Sequence, residues 1–130
     1  MKGGASYDTR FLVELFYSAE IATQTKIRDI LLSSKPNFLS TAALSELYLL
    51  TLGKEGRDVA EIRGKSLAKD FRLVAMDKEI AVQAAIIKHK YAIPFADSVI
   101  ASTAKILGVP CYTDDSHFRD IEGLALRWIE

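Results

Sequence analysis

The chain has 130 residues, 49% of them hydrophobic and 26% charged, with seventeen basic and seventeen acidic side chains that cancel. A chain of this length and composition suits one globular domain over residues 1–130, built around a single core, and is unlike a disordered or low-complexity segment. The charge balance excludes a large net positive field that would draw in nucleic acid nonspecifically, and no window reaches the roughly twenty apolar residues of a membrane span or opens like a signal peptide.

A short first strand is expected to end near Tyr7 and Asp8, although two glycines and no branched aliphatic residue precede it. A largely apolar helix then runs through Phe11–Tyr17. Ser33–Asn37, with Pro36 inside it, reads as a loop, and Phe38–Ser40 as a brief strand leading to Ser40 or Thr41 as N-cap. The next helix covers Ala42–Leu52, with Gly53 placed to end it. Lys54–Asp70 carries many charges around Val59, Ile62 and Leu67 and reads as an exposed helical arm. Phe71–Met76 resembles a strand, followed by Asp77 as cap of a helix over Lys78–His89. Pro94 suits the first turn of a helix that runs through Asp97 to Leu107 and stops at Gly108. Val109–Thr113 and Leu124–Ile129 complete the strands, and the lone Cys111 is expected to fill one of them as a structural thiol in a reducing cytosol. Alternating strands and helices favour an α/β domain with a mostly parallel central sheet flanked by helices in an α/β/α sandwich.

Four acids stand against this apolar background. Helical neighbours lie three and four residues away, and around Glu46 they are Ala42, Ala43, Leu49 and Leu50; around Asp97 they are Ile93, Pro94, Ile100 and Ala101. Neither set holds a cation. Asp58, with Lys54, Glu55, Glu61 and Ile62 about it, has the surroundings of a solvated face instead. Asp8 and Asp115 both follow candidate strands, and ligands of open α/β sheets bind beyond the carboxyl ends of strands. Asp114 competes with Asp115 for that place. An unpartnered buried carboxylate is costly, so four of them suggest a shared partner, most simply a divalent cation.

Asp8-Thr9, a helical Glu46, the run Ala96-Asp97-Ser98-Val99-Ile100-Ala101-Ser102-Thr103-Ala104 and Thr113-x-Asp115-x-His117-Phe118 together resemble the PIN domain. The resemblance is closest to the small VapC-type toxins of prokaryotic toxin–antitoxin pairs and covers essentially the whole chain. It implies a magnesium- or manganese-dependent endoribonuclease, with Asp8, Glu46, Asp97 and Asp115 as its acidic quartet. Thr9 and Thr113 match positions where a hydroxyl helps arrange the site. The same resemblance implies RNA as substrate, a cognate antitoxin, a homodimer and a cytoplasmic setting without a membrane.

Two other readings stand beside this one. A noncatalytic PIN-like module would hold RNA or protein without cutting it, which retention of all four acids disfavours. A phosphotransfer enzyme with an aspartyl nucleophile would also pair acids with magnesium. In a haloacid-dehalogenase-like phosphatase, however, a second aspartate would stand where this chain has Arg10. His117 reads as a turn or packing residue, and Arg10 and Arg119 as surface cations within reach of RNA phosphates.

Overall fold

A computed structural model describes residues 3–130; Met1 and Lys2, the start of the expected domain, lie outside the described residues. The elements in chain order are β1 (Ala5–Tyr7), α1 (Thr9–Tyr17), α2 (Ile21–Ser33), β2 (Asn37–Ser40), α3 (Thr41–Glu55), α4 (Arg57–Asp70), β3 (Arg72–Val74), α5 (Lys78–Tyr91), α6 (Phe95–Leu107), β4 (Cys111–Tyr112), a 3-10 turn (Ser116–Phe118) and β5 (Leu126–Arg127). All five strands pair in parallel in the order β3-β2-β1-β4-β5. Parallel neighbours need crossover connections, and the helices supply most of them, flanking the sheet. The α/β expectation is met.

β1 forms in the sheet centre despite its poor strand propensity, because both of its edges are paired. Ser6 N donates to Pro110 O at 2.8 Å, Ala5 N to Pro36 O at 3.1 Å and Asp8 N to Tyr112 O at 3.1 Å. The apolar mass expected of an aliphatic run comes from Tyr7, which is fully buried, stacks on Tyr112 at 5.2 Å and packs on Phe11 at 4.5 Å. Its hydroxyl donates to Asn37 Oδ1 at 2.7 Å, and Asn37 Nδ2 in turn donates to Leu31 O. Gly4 has φ of 120°, and a Cβ there would meet the Phe38 ring, Pro36 O and Val109 at 3.2–3.3 Å, so glycine is what lets the chain enter the sheet.

Several boundaries differ from expectation. Gly53 lies inside α3, where a glycine costs about 1 kcal/mol but is tolerated; the chain turns instead at Gly56, whose φ is 88°. α4 is no exposed arm: Ala60 and Leu67 are buried, and Arg63 pairs with Glu55 while lying 5.0 Å from the Phe16 ring and 4.8 Å from the Tyr17 ring. α2 was not anticipated. Ile27 is its one fully buried residue, Ile30 and Leu31 pack against the core, and the Gln24 amide nitrogen lies 3.0–3.3 Å from the carbonyl oxygens of Glu14, Leu15 and Ser18, which share its two hydrogens. β3, β4 and β5 are shorter than expected, at three, two and two residues. Ser40 and Asp77 cap α3 and α5 as expected, accepting from Ala42 N and Ile80 N.

α6 is buried without a break from Asp97 to Ala104. Small residues allow this close approach, and their hydroxyls are satisfied within the helix or on α5: Ser98 donates to Phe95 O, Thr103 to Val99 O and Ser102 to Ile80 O. Cys111 is buried in β4 and forms no disulfide.

Candidate metal centre

Strand register puts the carboxyl ends of β1, β2 and β4 at one edge of the sheet. Ala5 faces Asn37 and Tyr7 faces Tyr112, so Asp8, Ser40 and Thr113 leave the sheet at about the same level. Strand order reverses around β1, the position where open α/β sheets bind ligands. Asp8 ends β1 and begins α1, with Oδ1 accepting from Thr9 N at 2.7 Å. Its Oδ2 accepts from Thr113 Oγ1 at 2.7 Å, and the same Thr113 oxygen accepts from Asp115 N at 3.0 Å. Thr9 Oγ1 donates to Glu46 Oε1 at 2.5 Å, so this hydroxyl joins α1 to α3. The two threonines thus hold the carboxylates in place.

All four predicted acids converge. One oxygen each from Asp8, Glu46 and Asp97 lies within 4.8 Å of the others, and a second such group joins Asp97 to Asp115 and His117. Asp97 belongs to both. Asp115 caps the 3-10 turn by accepting from His117 N at 2.9 Å, while Asp114 points elsewhere and takes both guanidinium contacts of Arg10. Geometry therefore separates these neighbours: Asp115 faces the other acids, and Asp114 neutralises Arg10 at the rim.

His117, read from the sequence as a turn or packing residue close to the site, touches two of the acids. Its Nδ1 lies 2.8 Å from Asp97 Oδ2 and 3.2 Å from Asp115 Oδ1. The signal available in the sequence was its place two residues after Asp115, which returns the ring toward the carboxylate through the turn. Arg119, by contrast, has no polar contact to the acids among the described residues.

Electrostatics follow from this crowding. Burial pushes Asp8 up to about 6, assisted by Asp97 and Asp115, while hydrogen bonds from Thr113 and Thr9 pull the other way. Asp97 is also raised, chiefly by burial and then by Asp115, against the hydrogen bond from His117. His117 is raised mainly by that same hydrogen bond.

Among the described residues, no lysine or arginine forms a salt bridge with Asp8, Glu46, Asp97 or Asp115; the basic side chain that touches the group is the His117 imidazole. A set of hard oxygen donors, half of them buried and none neutralised by a fixed ammonium or guanidinium, fits magnesium or manganese.

The family model of the PIN domain matches residues 7–124. A toxin–antitoxin complex from Klebsiella pneumoniae is 20% identical with a TM-score of 0.74, over 93% of this chain and 95% of that one. VapBC2 from Rickettsia felis, bound to a DNA fragment from its promoter, is 13% identical with a TM-score of 0.81, over 98% and 99%. VapC20 from Mycobacterium tuberculosis, a Sarcin-Ricin loop cleaving toxin, is 19% identical with a TM-score of 0.69, over 88% and 92%. Identities this low carry the fold alone. No curated protein sequence matches the chain significantly.

Proposed function

We propose, from the premise that the chain belongs to the PIN-domain family, that it is a divalent-metal-dependent endoribonuclease and the toxin of a VapBC-type pair. The observation that carries this reading is the convergence of Asp8, Glu46, Asp97 and Asp115, drawn from four separate segments, with no lysine or arginine among them. Structural likeness to toxin–antitoxin proteins supports the second half of the reading, an antitoxin partner; a homodimer is proposed on the family resemblance alone. Among the described residues no helix is long and apolar enough to cross a membrane, and the buried lone thiol agrees with a cytoplasmic setting.

Asp8, Glu46, Asp97 and Asp115 would hold magnesium or manganese, which when bound activates water and offsets charge developing on the scissile phosphate. The chain's own contribution is preorganisation. Thr113 and Thr9 fix the Asp8 and Glu46 oxygens before any ligand arrives, so little reordering accompanies binding. His117 keeps Asp97 and Asp115 on one side of the site. Arg10, paired with Asp114 at the rim and also attracted by Asp8 and Asp115, is a cation that can meet an approaching phosphate.

The test is incubation of the purified protein with varied single-stranded and structured RNAs in manganese or magnesium. Internal cuts made by the wild type and lost in Asp97→Asn support the reading. Intact RNAs throughout, together with tight copurification of one RNA or protein, would replace it with the noncatalytic module.

A further inference from the structure

The amino end of the sheet is unlike the carboxyl end. Beside the first residues of β2 and β3, two clefts of about 400 and 330 Å³ share Lys35, Asn37, Lys69 and Asp70 and so form one groove. Arg72 lines one part and Arg28 the other. Four cations, contributed by α2, the loop before β2, the end of α4 and the start of β3, thus face a single lining carboxylate.

All four of these cations are exposed, and none makes a salt bridge among the described residues. Asp70 accepts a 3.4 Å hydrogen bond from Ser66. The Asn37 amide is committed to Tyr7 and Leu31, so it adds no competing partner. Arg72 lies 6.0 Å from the Phe38 ring, which orients its guanidinium without neutralising it. Leu32, 63% exposed, adds apolar surface between the charges. A concave basic groove with apolar patches suits a phosphate-linked strand whose bases can rest on side chains; a flat basic face would suit an anionic bilayer.

We propose that this groove anchors RNA phosphates at a site separate from the acidic centre, gripping substrate that flanks the cleavage point. The choice of RNA as the polyanion rests on the nuclease reading above. β2 itself spans about 10 Å at roughly 3.3 Å per residue, and loops add to this at both ends. An RNA that fills both sites is therefore extended or folded, and a very short oligonucleotide reaches only one.

The test is fluorescence anisotropy with labelled RNAs of about five and about thirty nucleotides, without divalent cation so that no strand is cut. Lys35→Glu/Lys69→Glu is expected to weaken binding of the longer RNA about tenfold or more and to reduce its salt slope by about 2. Cleavage of the short RNA in manganese, which needs only the acidic centre, stays unchanged. Arg57→Glu/Lys90→Glu makes the same charge change at exposed positions outside the groove and is expected to shift long-RNA binding less than about twofold. Arg72→Glu is the second groove variant, expected to act in the same direction. If groove and control variants bind alike, or if the groove variants lose binding to phosphatidylserine vesicles and not to RNA, the proposal is overturned. Groove-dependent RNA binding by a protein that cuts nothing in manganese would leave the groove standing and remove the nuclease reading.

Discussion

At the carboxyl end of the sheet, short acidic side chains are fixed by buried backbone and by threonine hydroxyls. At the amino end, long basic side chains stand on exposed positions and form no salt bridge among the described residues. Like charges repel in both places, but only the cations can relieve this by spreading into water. The acids cannot, and their burial, with a smaller contribution from mutual repulsion, raises the affinity of Asp8 and Asp97 for protons. A formal charge of zero thus conceals two opposite local fields. Fixed carboxylates make the first a candidate for chemistry, and exposed cations without salt bridges make the second a candidate for holding a polyanion.

The largest expected break in this contrast is at the acidic end. Asp97→Asn should lower RNA cleavage roughly 10²–10³-fold, as loss of several kcal/mol of transition-state stabilisation would, while circular dichroism and oligomeric state stay as in the wild type. Manganese should relieve the repulsion of the acids, stabilising the wild type by about 2.7 kcal/mol at a hundred times its dissociation constant and Asp97→Asn by much less. Thermal melts with and without chelator measure this directly.

Proton binding sharpens the contrast further. A folded-state pKa raised from 3.8 to about 6 means that Asp8 favours the fold below its ordinary value, and that this contribution is lost as pH rises through about 6. Metal-free Asp8→Asn should therefore match the wild type at about pH 4 and exceed it by about 1–3 kcal/mol above pH 6. Asparagine at this place still offers an oxygen to Thr9 N. Equal stabilities across that range, measured by denaturant unfolding, would show that the carboxylate is not strained.

The smallest effect separates two adjacent residues. Asp114→Asn removes an exposed ion pair with Arg10 and should cost less than about 1 kcal/mol, with cleavage within a few-fold of wild type. Asp115→Asn should instead approach Asp97→Asn in cleavage assays.

The acidic end was legible because each acid lay within a local pattern. Glu46 and Asp97 lacked cationic helical neighbours, and Asp8 and Asp115 followed strands, features that sequence spacing alone contains. β1 was harder, since its stability comes from pairing on both edges and from the Tyr7 ring, neither of which strand propensity records. α2 escaped notice because Ile27 is its one fully buried residue. His117 reads as a turn or packing residue because its partner Asp97 lies 20 residues away in sequence. The basic groove was invisible for the same reason: Arg28, Lys35, Lys69 and Arg72 look like ordinary surface charges until α2, α4 and β3 meet.

The central claim, that the four acids form one divalent-cation site, is most directly tested by anomalous scattering from a manganese-soaked crystal. One or two manganese peaks touching Asp8, Glu46, Asp97 and Asp115 are expected. Manganese bound only at other residues, with these carboxylates unligated, would contradict the account.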